Sequence, residues 1–151
     1  VYRSPSAVPS LAISGGAIQS VRLTSDASFK ARVEFSSCWT GSRNMELSWS
    51  AAGPLSETLL DGVKLSSSAL TIPAANLKAV GPGQLVSLSL RGAMADDASI
   101  FTEASIDILT VPGPLRALIS GGDRTVPASG TLLIDSSESI DPDAPDGGAS
   151  Q

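Results

Sequence analysis

Apolar and polar residues alternate along two stretches in the first third of the chain. From Phe29 to Phe35 every odd position is apolar and every even position is charged. From Met45 to Trp49 apolar side chains alternate in the same way with Glu and Ser. Because successive side chains of a β-strand point to opposite faces, each stretch predicts a strand with one buried and one solvent-facing side.

Shorter apolar segments predict further strands, at residues 11–13, 69–72, 86–90 and 100–109. The last is the longest candidate, and its predicted inward residues are Ile100, Ala104, Ile106 and Ile108. Residues 74–83 are interpreted as a crossing loop, and no segment shows the period of an amphipathic helix. About seven strand candidates separated by turn signals predict an all-β fold, an antiparallel β-sandwich of the immunoglobulin (Ig) type.

The segment Ile13-Ser-Gly-Gly16 recurs as Ile119-Ser-Gly-Gly122. The two copies are about one domain length apart, since an Ig-like sandwich has about 100 residues. Each copy predicts a first strand ending in a Gly-Gly turn, which gives Gly121 and Gly122 a structural role; a second strand then ends at Asp135. We therefore expect tandem repeats: residues 1–9 as a linker or the tail of a preceding domain, 10–111 as one sandwich, 112–114 as a linker, and 115–151 as the first strands of a second, incomplete sandwich.

Composition and charge narrow the set of partners. The chain is 42% hydrophobic but only 4% aromatic, so its core has to be built from aliphatic side chains. Its net charge is −5 and its ten basic residues are scattered, which argues against nucleic acid and anionic membrane surfaces. No apolar run approaches the roughly 20 residues needed to span a bilayer, so we expect no membrane contact within this segment. Any targeting signal or anchor is expected outside it.

The chemistry-bearing residues do not predict an enzyme. The chain has no histidine, which excludes Ser-His-Asp and Cys-His nucleophilic sites and histidine zinc sites. The single cysteine, Cys38, is interpreted as a buried thiol or a disulfide partner rather than a nucleophile. Cys38 and Trp49 match the strand-B Cys and strand-C Trp that pack in the centre of Ig-like domains, so we expect both to be buried and close together.

An acidic turn closes the sequence. No Lys or Arg occurs in residues 135–146, where carboxylates stand at Asp135, Glu138, Asp141, Asp143 and Asp146. Such oxygens suit calcium, and Asp135, Asp141 and Asp143 are the candidate ligands. The favoured interpretation is instead an Asx turn, in which Asp135 accepts a hydrogen bond from the backbone of Ser137 or Glu138. No other cofactor is expected. The Asp96-Asp97 pair is interpreted as stabilising a hairpin turn rather than as a ligand site.

Two stretches together resemble a known family, the receptor-for-egg-jelly (REJ) module. The first comprises residues 69–77, the Gly81-Pro-Gly83 loop and the strand at 86–90. The second, residues 114–122 and 133–143, resembles that module's next repeat and carries an Asp-x-Ser-x-Ser-x-Asp-Pro-Asp-like motif that is similar to one in PKD domains. One departure is Leu85-Val86, where family members often have an aromatic residue, so a tyrosine-corner type of anchor stays in question.

The resemblance implies tandem fibronectin-III-like repeats of a large extracellular protein. It implies a structural or adhesive spacer on a cell or cilium surface, whose partners are neighbouring repeats or other protein chains. Ser and Thr residues near Pro suggest O-linked sugars and hence a glycoprotein. The alternatives are an ectodomain segment of a polycystin-like receptor and a carbohydrate-binding accessory module of a secreted enzyme. Glycan binding requires an exposed aromatic ring, and Trp39 is the candidate to examine first.

Overall fold

The computed structural model describes residues 8–144 of the chain. They belong to two compact units that divide between Val111 and Pro112. Most of the predicted linker over residues 1–9, and residues 145–151 of the predicted second sandwich, therefore lie outside the described part. The first unit contains β1 (Ser10–Ile13), β2 (Ile18–Arg22), β3 (Ala27–Glu34), β4 (Met45–Ala52), α1 (Ser56–Leu60), β5 (Ala69–Ile72), α2 (Ala74–Val80), β6 (Leu85–Met94) and β7 (Phe101–Val111).

The strands form two sheets. One has the order β1-β3-β5 and is antiparallel, whereas the other has the order β2-β7-β6-β4. Within the second sheet β2 runs parallel to β7, and the remaining pairs are antiparallel. The prediction of an all-β sandwich is confirmed, with one parallel edge pair added to it. The tandem arrangement of such sandwiches stays a prediction.

One cluster of buried apolar side chains lies between the two sheets. The alternation that predicted β3 and β7 is confirmed, since the inward residues Phe29, Ile106 and Ile108 are buried. Trp49 on β4 is only 1% exposed, and its indole N–H donates to the Ser67 carbonyl at 2.7 Å. Each fully buried aliphatic side chain in such a core contributes about 1.5–3 kcal/mol, so this cluster is the main source of stability.

Strand β2 was not predicted. Only Val21 of its five residues is buried, and Ile18 is 64% exposed, so the strand lacks an alternating apolar pattern. The chain reaches it through a turn at Gly15, whose φ of 104° lies in the left-handed region that favours glycine. The Gln19 side chain closes this turn by donating to the Ser14 carbonyl at 2.9 Å.

Helix α2 corrects the sequence interpretation of its segment. Residues 74–80, interpreted as part of a loop, form α2. Pro73 precedes the helix and Gly81, with φ 85°, ends it by donating its N–H to the Leu77 carbonyl at 3.0 Å. Leu77 and Val80 face the core. A helix of seven residues is too short for its periodicity to stand out in the sequence.

Thr110, near the end of β7, is fully buried and fastens the loop between α2 and β6. Its hydroxyl donates to the Gly81 carbonyl at 2.7 Å and accepts from the Gln84 N–H at 2.8 Å. Its own N–H donates to the Gln84 carbonyl at 2.9 Å, and its carbonyl accepts from the Gly83 N–H at 2.7 Å. The sequence left open what anchors this loop, because Leu85 stands where an aromatic residue is common. The anchor is a buried threonine on β7.

The second unit contains no strand among its described residues, 112–144. The strands expected at Ile119 and before Asp135 are therefore not formed there, and Ile119 does not match Ile13 in structure. An isolated antiparallel bridge joins Arg116 to Ile140. Two paired segments are marginally stable without a further sheet to pack on, and Leu133 is 78% exposed here. The assignment of residues 115–151 to a second sandwich stays a prediction.

Candidate binding cleft at one end of the sandwich

Two loops meet at one end of the first unit. Met45, which begins β4, pairs with Met94, which ends β6, so the β3–β4 and β6–β7 loops leave the sheet side by side. The Ala95 N–H ties them together by donating to the Asn44 carbonyl at 3.0 Å. They enclose a cleft of about 570 Å³, within the range of roughly 300–1,000 Å³ seen for small-molecule sites. Its lining includes Cys38, Trp39, Asp96, Asp97, Ser99 and Phe101.

Trp39 forms one wall of the cleft and is held in a fixed orientation. Its indole N–H donates to the Ser42 carbonyl at 2.9 Å, and the Phe35 ring packs against it with 5.7 Å between ring centroids. The indole N–H is therefore occupied, and the ring surface is what Trp39 offers to a ligand. A methyl group added at Gly41 would touch the indole at 3.4 Å, so the absence of a side chain there leaves part of the ring uncovered.

Asp97, on the β6–β7 loop, contributes an acidic group to the cleft. Its Oδ1 accepts hydrogen bonds from the Ser99 hydroxyl at 2.6 Å and from the Ser99 N–H at 3.0 Å. These two bonds, the hydroxyl first, lower the pKa of the Asp97 carboxyl, which is therefore ionised at neutral pH. The interpretation of this aspartate as turn chemistry is confirmed. The turn also places it, beside Asp96, on the cleft wall.

Cys38 is exposed and free, which contradicts the expectation that it lies in the core. Strand β3 ends at Glu34, so Cys38 belongs to the following loop, where its N–H donates to the Ser36 hydroxyl at 3.2 Å. The expected contact with the buried Trp49 would have required β3 to continue to Cys38. The cysteine lines the cleft instead.

In the acidic turn of the second unit, the carboxylates accept hydrogen bonds from backbone N–H groups. Asp135 Oδ1 accepts from the Ser137 N–H at 2.9 Å, as predicted, and this bond, followed by the Ser137 hydroxyl, lowers the pKa of the carboxyl. Asp141 Oδ1 accepts from the Asp143 N–H at 3.0 Å, and Asp143 Oδ2 accepts from the Gly113 N–H at 2.6 Å.

Each of the three candidate calcium ligands thus accepts a hydrogen bond from a backbone N–H group. Within residues 8–144 no group of three or more acidic, Cys or His side chains is placed to hold a metal ion. Asp146 lies outside the described residues. Gly121 and Gly122 both have positive φ, 92° and 55°, so the turn at this position depends on glycine.

Comparison with known proteins identifies one family. A model of the REJ domain family matches residues 31–151. Among solved structures, the chain is similar to the three N-terminal domains of the bacteriophage RB49 highly immunogenic outer capsid protein (Hoc), at 18% identity and a TM-score of 0.43. That match covers 76% of this chain and 32% of the capsid protein chain, so this chain spans about a third of its length. No curated protein matches. Neither helix among the described residues has the length and apolar character to cross a membrane.

Proposed function

Because this chain belongs to the REJ domain family, we propose that it acts as a structural or adhesive spacer in a large extracellular protein of a cell or cilium surface. REJ domains are found in extracellular regions of polycystin-like proteins. The spacer role rests on how the chain passes through the first unit. A spacer needs its two attachment points at opposite ends and a connection between them that resists extension.

The two attachment points of the first unit lie at opposite ends of the sandwich. Val8, which precedes β1, lines the cleft together with Phe101, the first residue of β7. Strand β7 then runs for 11 residues to Val111, where the chain leaves this unit. At about 3.3 Å per residue, the exit is roughly 35 Å from the cleft end. This end-to-end path is the single observation that carries the proposal.

The parallel pairing of β2 with β7 supports a load-bearing role. The register has five residue pairs, from Ile18 opposite Asp107 to Arg22 opposite Val111. Tension on the N-terminal side pulls β2 towards the cleft end, whereas tension on the C-terminal side pulls β7 the other way. The force therefore acts along the strands and loads the hydrogen bonds between them together, instead of opening them one after another.

Stretching single molecules by residues on either side of the first unit tests the proposal. A spacer of this design extends little until β2 shears from β7, and then unfolds in one step. Gradual extension at low force would contradict the role.

A further inference from the structure

The spacer role makes no use of the cleft between the β3–β4 and β6–β7 loops, yet its charge is one-sided. Among residues 8–144, the lining contains two carboxylates, at Asp96 and Asp97, and no Lys or Arg. The Asp97 carboxylate is held in place by Ser99, whose hydroxyl donates to it at 2.6 Å. The charged side chains of this lining therefore favour a cationic ligand over an anionic one.

The aromatic rings around the cleft differ in whether a cation lies on them. The guanidinium of Arg91 lies 4.1 Å from the centre of the Phe101 ring, and that of Arg43 lies 5.8 Å from the Phe35 ring. Both distances are typical of cation–π pairs. Within residues 8–144 no such pair includes Trp39. Indole is the side chain that binds cations most strongly through its ring, so the strongest ring at this site is the one without a cation.

The local backbone keeps the Trp39 ring available. The Ser42 carbonyl accepts the indole N–H at 2.9 Å and fixes the ring plane before any ligand arrives. Gly41 lies against the ring, and its φ is not in the left-handed region, so backbone conformation does not require a glycine here. What the glycine provides is space over the ring. A rigid aromatic anchor in a concave site is typical of the residues that dominate protein–protein binding.

We propose that this cleft binds a basic side chain, arginine or lysine, presented by another protein. The cation lies on the Trp39 ring, and the carboxylates of Asp96 and Asp97 accept hydrogen bonds from its N–H groups. Arginine fits better than lysine because its planar guanidinium can stack on the indole and donate in the ring plane at the same time. The cleft volume of about 570 Å³ also accommodates the residues that flank the basic one. Spacing does not require this ligand, so the two proposals stand or fall separately.

The chain carries its own reporter for the test. Trp39 is half-buried in the cleft and Trp49 is buried in the core, and these are the only two tryptophans. We suggest titrating the full chain with the peptide acetyl-Gly-Arg-Gly-Arg-Gly-amide, with a glutamine-for-arginine version of it, and with a neutral oligosaccharide such as cellopentaose. The readouts are tryptophan fluorescence and the indole N–H resonance of Trp39. The arginine peptide should give a saturable change, and the other two probes should give none.

Variants separate the parts of the site. Trp39→Ala should weaken binding about 5-fold or more through loss of the cation–π contact. Asp96→Asn with Asp97→Asn should weaken it about as much and remove most of its dependence on salt. Gly41→Leu keeps the ring and both carboxylates but covers the indole, so it should also block binding. Asp61→Asn removes one charge from an exposed position after α1 and should leave the affinity unchanged.

Three results would overturn the proposal. One is a response to cellopentaose with none to the arginine peptide, which would make the cleft a sugar site. Another is a loss of peptide binding in Asp61→Asn as large as in the cleft variants, which would indicate general charge attraction. The third is the absence of a saturable response to the arginine peptide at millimolar concentration while circular dichroism shows the chain to be folded.

Discussion

The hydroxyl of Thr110 donates a hydrogen bond to the carbonyl of Gly81 at 2.7 Å, across the end of the sandwich. The same oxygen accepts the Gln84 N–H at 2.8 Å, so one buried side chain satisfies two backbone groups of the α2–β6 loop. In Ig-like domains a corner tyrosine anchors this kind of loop from its own strand. Here the anchor comes from β7, the last strand of the first unit.

Replacing Thr110 by valine keeps its shape and removes its hydroxyl. The Gly81 carbonyl and the Gln84 N–H then lose their partner in a partly buried position, which costs about 1 kcal/mol or more of unfolding free energy. Thr102→Val, in the first half of the same strand, is the matched control and should change stability by no more than about 0.5 kcal/mol. Urea denaturation measures both, and equal midpoints for Thr110→Val and the parent would show that the hydroxyl anchors nothing.

Trp49→Ala should destabilise the first unit by about 3–5 kcal/mol, as other truncations of large aromatic side chains in cores do. The indole is 1% exposed, and its N–H is bonded to the Ser67 carbonyl. Trp39→Ala makes the same change outside the core and should have a much smaller effect on the unfolding free energy. A loss below about 1 kcal/mol for Trp49→Ala in urea denaturation would contradict the position given to this ring.

The Cys38 thiol should react with Ellman's reagent in the native protein, without a preceding unfolding step, because it is exposed in a loop. The rate should scale with reagent concentration and match that of the urea-unfolded chain within about an order of magnitude. If the thiol reacts only after denaturant is added, Cys38 is buried in the folded protein and the assigned exposed position is wrong.

The pKa of Asp97 should be measurable below its ordinary value of 3.8 by NMR titration of the carboxyl carbon. Because the folded-state pKa is lowered, the hydrogen bonds to Ser99 stabilise the fold above pH 3.8, and this contribution is lost as the pH falls through the folded-state value. Ser99→Ala removes the hydroxyl, which is the larger cause, and should raise the pKa towards 3.8. A pKa that does not move in Ser99→Ala would exclude this account of the turn.

The sequence predicted those strands that bury one face in the core, and it missed elements that do not show this pattern. Strands β3, β4 and β7 have one face in the core, so their apolar residues alternate and the strands could be predicted. Strand β2 lies at a sheet edge and buries only Val21, so its position is set by pairing with β7 rather than by its own pattern. Helix α2 has seven residues, too few for a periodic signal.

The cleft could be predicted only in part. The sequence singled out Trp39 as an aromatic residue outside the predicted core. It indicated Asp97 only as a residue that stabilises a turn. The two lie in different loops, and the pairing of β4 with β6 brings them together. Cys38 was placed wrongly because it was matched to the strand-B Cys of Ig-like domains, whereas β3 ends before it, at Glu34. Register and strand ends depend on contacts between distant segments, which a local pattern does not contain.

The most direct test of the spacer role is the force needed to unfold the first unit when it is pulled by its two ends. Val21→Pro removes a backbone N–H that bonds β2 to β7, because the bonds of this parallel pair fall on alternate residues from the Ala17 carbonyl to the Leu23 N–H. Leu70→Pro makes the same change in β5, an edge strand of the other sheet, which bonds to β3 through alternate residues beginning with the Ser68 carbonyl. Compared at equal loss of equilibrium stability, Val21→Pro should lower the unfolding force well below that of Leu70→Pro. Equal forces for the two variants would contradict the claim that the β2–β7 pair bears the load.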